Sequence, residues 1–121
     1  MERTMKELSE ILDEIAGSTA VQFVALVSRD GFIIENSSSP GEGMELAAAR
    51  VAQLLFAAEE VGEELGNAGI KQIVVNYHNG LVLVVCLNSN TLLLAAVASE
   101  ASVPWVQHNV RKYLSEINEK L

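Results

Sequence analysis

Two runs in the second half of the chain, Leu81–Leu87 and Leu92–Ala98, hold no charged residue, and only the turn Asn88-Ser89-Asn90 and Thr91, which opens the second strand, separate them. A strand with one wet face alternates apolar and polar residues. A run that never alternates belongs to a strand covered on both faces. Both runs are far too short to cross a bilayer as helices. The chain must therefore build a sheet with these two strands near its centre, and must find other elements to cover both sides.

The remaining residues supply those elements. Met5, Leu8, Ile11, Leu12 and Ile15 recur at helical spacing, Thr4 with Glu7 fits a capping box, and Gly17 stops this first helix. Val21–Ser28 and Phe32–Ser37 read as strands. Arg29-Asp30-Gly31 lies between them, and Asp-Gly favours a hairpin turn. Ser38–Gly43 is a polar loop. Met44–Leu65 is the longest helix: Met44, Ala48, Val51, Leu55, Ala58 and Gly62 fall on one line, and Ala47, Leu54, Val61 and Leu65 widen it into a broad apolar face. Gly66 and Gly69 end it. Ile70–Asn76 is a further strand, turned by Asn79-Gly80 into Leu81–Leu87. The last helix begins near Pro104, with Ser102 or Val103 as its cap, and buries Val106, Val110, Tyr113, Leu114, Ile117 and Leu121.

This order predicts a single α/β domain over residues 1–121, an α-β-β-α-β-β-β-α sandwich. Phe32–Ser37 carries Glu35 and Asn36, and Ile70–Asn76 carries Lys71, Gln72 and Asn76, so these two strands suit the edges. A five-stranded, mainly antiparallel sheet in the order 2-1-5-4-3 satisfies all the patterns. The terminal helices cover one face and the long second helix the other. One helix cannot shield a whole five-stranded face, and half of the residues are hydrophobic. Both facts favour a homodimer in which the Ile70–Asn76 edges join and the long helices pack together. Lys71, Ile73 and Val75 on the edge strand, with Ala49 and Ala52 on the helix, are the expected dimer contacts.

The chemistry-bearing residues are few. The net charge of −8, from 16 acidic and 8 basic residues, repels nucleic acid and anionic membranes but permits a basic protein partner. The first fourteen residues mix charges with apolar side chains and do not read as a signal peptide, so the expected location is the cytoplasm. Cys86 lies in a doubly apolar strand and reads as a small core residue. His78 and His108 have no ligand-type neighbour at metal spacing. Gly41-x-Gly43 lacks the lysine of a phosphate loop, and Gly62-x-x-x-Gly66 is flanked by too many glutamates to be a membrane helix motif. No metal, no cofactor and no catalytic constellation are expected. Glu59, Glu60, Glu63 and Glu64 sit near a helix C-terminus, where the helix dipole disfavours negative charge. They form either a solvated face or a surface kept acidic for a basic partner. Phe56, off the core line, makes Ala52, Phe56, Glu60 and Glu63 the candidate partner surface.

The stretch Val24-Ala25-Leu26-Val27-Ser28-Arg29-Asp30-Gly31-Phe32-Ile33-Ile34, the alanine-rich helix Glu45–Leu65 and the run Leu92-Leu93-Leu94-Ala95-Ala96-Val97 resemble, in order and spacing, the Roadblock / dynein light chain family. The resemblance implies a profilin-like sandwich that dimerises through its third strand and long second helix. It also implies a non-catalytic regulatory or scaffold role toward a Ras-like small GTPase. Two alternatives stand beside that role: a light-chain-like adaptor joining larger proteins, and a small-ligand sensor, which the aliphatic sheet faces disfavour.

Overall fold

The computed structural model describes residues 7–17, 20–37 and 43–121. The elements run α1 (Leu8–Ile15), β1 (Val21–Ser28), β2 (Ile33–Asn36), α2 (Met44–Glu64), β3 (Gln72–Tyr77), β4 (Gly80–Cys86), β5 (Thr91–Val97), a 3-10 turn (Glu100–Ser102) and α3 (Val103–Lys120). The five strands form one sheet in the order β2-β1-β5-β4-β3, with every neighbouring pair antiparallel. This is the sandwich and strand order that the hydropathy pattern predicts.

The non-alternating runs lie where covering is complete. All seven residues of β5 are buried, and β5 sits between β1 and β4 at the middle of the sheet. One face of the sheet packs Leu26, Leu83 and Leu93 against Ile11, Leu12 and Ile15 of α1 and Val106, Val110 and Ile117 of α3. The other packs Ala25, Val27, Val84, Leu92 and Leu94 against Met44, Ala48, Val51 and Leu55 of α2. Each fully buried aliphatic side chain of this kind contributes roughly 1.5–3 kcal/mol relative to exposure.

Several boundaries differ from the sequence expectation for identifiable reasons. The α1 helix starts at Leu8 with Glu7 itself at the N-cap and no side-chain cap bond. Thr4 and Met5 lie outside the described residues, as does most of the Ser38–Gly43 loop. The β2 strand is only four residues long. Its two ends are closed by serine hydroxyls: Phe32 N donates to Ser28 Oγ (3.1 Å) and Val24 N donates to Ser37 Oγ (3.1 Å). The β3 strand begins at Gln72, and Lys71 still offers its carbonyl to Cys86 N at 3.0 Å. Ahead of α3, Ser99 Oγ accepts from Ala101 N (3.2 Å) and shapes the 3-10 turn that leads into Pro104.

Candidate interaction surface

The α2 helix carries more apolar surface than its own core uses. Met44, Ala48, Val51 and Leu55 are buried against the sheet. The same line continues to Ala58 and Gly62, which meet the returning loop instead. Asn67 N donates to Gly62 O (2.8 Å), and a Cβ on Gly62 would lie 3.4 Å from Asn67 O. The expected widening of the core face does not occur: Leu54 is 37% exposed, Val61 59% and Leu65 72%. A helix lying on a sheet presents an arc of about 100° to it, and these residues fall outside that arc.

The two flanks of α2 have different neighbours. Gly31, in the β1–β2 turn, has φ +93°, and a Cβ there would lie 3.0 Å from Ala49 Cα and 3.3 Å from Ala52 Cβ. The small side chains at 49 and 52 thus admit the chain's own hairpin turn. Arg29, in the same turn, donates to Glu59 of α2 and forms an ion pair with it. Phe56 lies one helical turn beyond Ala52 and is 65% exposed, with Glu60 and Glu63 exposed near it.

By helical geometry, Leu54, Val61 and Leu65 lie on the opposite flank. The Gly31 turn belongs to the β2 side of the sheet, so this second flank faces the β3 side. There the sheet is also incompletely covered. Gln107 Nε2 of α3 donates to Gln72 Oε1 (2.9 Å), which places Gln72 on the α3 face. Alternation then places Ile73 and Val75 on the α2 face, where both are only half-buried, with Val82 of β4 half-buried beside them. Lys71, just before β3, is exposed.

The structure therefore brings Ala52, Phe56, Glu60 and Glu63 to one flank of α2, as expected. It does not bring Ala49 and Ala52 to Lys71, Ile73 and Val75, which lie beyond the other flank. On α2, Leu54, Val61 and Leu65 are the residues that sequence reasoning assigned to the core and the structure leaves on the surface; at the end of α3, Leu121, expected to be buried, is likewise 43% exposed because it lies past the last helical residue. The signal on α2 was present: an apolar arc too wide for one sheet to cover.

The candidate chemical groups are quiet. Cys86 is half-buried beneath the Arg29–Glu59 pair, in the wall of a cavity of about 310 Å³. Burial pushes its thiol above the ordinary value; Arg29 opposes this and Glu59 adds to it. His78 and His108 are exposed. Among the described residues, no group of three or more His, Cys, Asp or Glu is arranged to hold a metal, and no helix is long and apolar enough to cross a membrane.

A sandwich of this topology with an uncovered apolar helix flank is a protein-interaction domain in form. The Roadblock/LC7 domain model matches residues 7–98, and the chain belongs to that family. No curated protein matches the sequence. Among solved structures, a Roadblock/LC7 domain from Streptomyces avermitilis is 18% identical, with a TM-score of 0.77 over 93% of this chain and 98% of that one. MglB from Myxococcus xanthus is 15% identical, with a TM-score of 0.80 over 96% and 100%. Profilin II from Acanthamoeba castellanii is 15% identical, with a TM-score of 0.62 over 91% and 98%. At these identities the likeness concerns the fold, which is profilin-like.

Proposed function

We propose that the chain is a non-catalytic, dimeric regulatory or scaffold subunit that binds a Ras-like small GTPase in the cytoplasm. The observation that carries the interaction reading is α2, whose two flanks expose apolar side chains beyond its own core. Leu54, Val61 and Leu65, with Ile73, Val75 and Lys71 of the β3 edge, are suited to a second copy of the chain. Ala52, Phe56, Glu60 and Glu63 are suited to the partner: an aromatic anchor rimmed by carboxylates attracts a basic surface and makes association salt-sensitive. Ala49 and Ala52 seat the hairpin turn against α2; Ala49 stays exposed and Ala52 half-buried, so both remain open to contact with a second copy. The GTPase as partner rests on the family, whose resemblance implies that role.

Light scattering tests the dimer: about twice the 13.0 kDa chain mass is expected at micromolar concentration. Phe56→Ala and Glu60→Lys should each weaken binding of a confirmed Ras-like GTPase by about tenfold while leaving the dimer intact. Unchanged affinity in both variants places the partner surface elsewhere. The adaptor reading differs in one measurable respect: its binding is indifferent to whether the GTPase carries GDP or a non-hydrolysable GTP analogue.

A further inference from the structure

The hydrogen-bond pattern of β3 dictates how a second copy can sit on its edge. Lys71 O accepts from Cys86 N (3.0 Å), and the β3–β4 register, continued by one step, sets these residues opposite each other. Hydrogen-bonded and non-hydrogen-bonded pairs alternate along an antiparallel ladder. Lys71, Ile73, Val75 and Tyr77 therefore direct their backbone groups to β4. Gln72, Val74 and Asn76 direct theirs outward, to the open edge. A two-fold axis normal to the sheet joins two such edges antiparallel and keeps both α2 helices on one side. Outward residues must then face outward residues. An axis through Val74 pairs the whole row: Gln72 faces Asn76 of the second copy, and Val74 faces itself. Centring the pair on Ile73 or on Val75 leaves an end of the row facing Ile70 or His78, which lie outside the strand.

The side chains agree with that register. Gln72 stands on the α3 face beside Gln107, so alternation places Val74 and Asn76 on the same face. Val74 is 40% exposed there, and its own copy would cover it. On the α2 face, Ile73 meets Val75. Lys71, which is exposed, meets Tyr77, which is 59% exposed. An ammonium group is attracted to the face of a tyrosine ring. Residues 70–77 contain no carboxylate, so this pairing opposes no negative charges in a chain that carries −8 overall. A row that matches itself under a two-fold axis points to a second copy as its occupant. We propose that two copies join through β3 in this one register, with Val74 on the axis and Lys71 of each copy packed on Tyr77 of the other. The inference rests on the dimer reading above and adds to it the register and the residues that set it.

Cysteine cross-linking reads the register directly. In the full chain with Cys86→Ala, single cysteines are introduced by Ile73→Cys, Val74→Cys and Val75→Cys. Each protein is mildly oxidised after circular dichroism confirms its fold. A disulfide needs Cα atoms about 4.4–6.8 Å apart. Facing residues of an antiparallel pair meet that at about 4.5–5.5 Å, whereas residues 73 and 75 would each lie about 8 Å from their own copies. Val74→Cys should therefore link at least about tenfold faster than either neighbour alone, and Ile73→Cys mixed with Val75→Cys should link as a mixed pair. By sedimentation, Lys71→Ala and Tyr77→Ala should each raise the dimer dissociation constant about tenfold, since the axis makes the contact occur twice. The double variant should raise it little further. Fastest linking at 73 or at 75, equal linking at all positions, or additive losses at 71 and 77 overturn the register while the chain remains a dimer. A dimer in which no cysteine links overturns it too, because the contact then lies away from β3. A parent protein that is monomeric at micromolar concentration overturns the dimer reading itself, and the register with it.

Discussion

The two edges of the sheet are built differently. The β2 edge is four residues long, its register with β1 shifts between Leu26 and Val27, and serine hydroxyls close both of its ends. The β3 edge is six residues long and pairs with β4 from Gln72 to Tyr77 without a break in register. A short, bulged edge is a poor template for another strand; a regular one is a good template. The helix above repeats the contrast. Toward β2, the Gly31 turn rests on α2 at Ala49 and Ala52, and Phe56 is exposed one helical turn further on. Toward β3, α2 presents Leu54, Val61 and Leu65 to solvent. A domain with two open edges could chain indefinitely; the proposed dimer, joined through one regular edge alone, would close as a pair.

The largest effect is expected where the occupied flank is forced apart. Gly31→Val places a branched side chain at positive φ and against the Ala49 backbone, and should cost about 3 kcal/mol or more. Thermal unfolding should register this as a large fall in Tm. A value near that of the parent protein would mean that the turn does not rest on α2.

The open edge is next. Ile73→Lys should raise the dimer dissociation constant about thirtyfold, roughly 2 kcal/mol, with the monomer still folded. Glu35→Lys on the β2 edge should leave it unchanged. Sedimentation of both variants side by side sharpens the comparison. Equal weakening would erase the distinction between the edges.

Cys86 probes how well the α2 face is closed. Its raised thiol pKa means that less thiolate is present at neutral pH than in the unfolded chain. Alkylation of the native protein at pH 8 should be about tenfold slower than in denaturant. The linkage sign follows: the folded thiol holds its proton to higher pH than the unfolded thiol. Stability from this group is therefore present below the unfolded value and falls as pH rises above it. The smallest effect belongs to Arg29→Ala. Its ion pair with Glu59 is 41% and 34% exposed, so its loss should cost under about 1 kcal/mol.

The sequence by itself determined the elements, their order in the sheet and the assignment of helices to faces. Those features are written in local periodicity: β5 never alternates and is buried throughout, while β2, which carries Glu35, and β3, which follows Lys71, are the two edges. The candidate surface was only half legible. Phe56, Glu60 and Glu63 stood off the core line and are exposed. Which neighbour each flank of α2 meets was decided by tertiary structure. Helical spacing says which residues share a flank but not how the helix is rolled on the sheet. That roll follows from the Gly31 turn wedging against Ala49 and Ala52, a contact between residues distant in sequence. Once the turn holds one flank, the remaining apolar residues Leu54, Val61 and Leu65 have nowhere in their own chain to go.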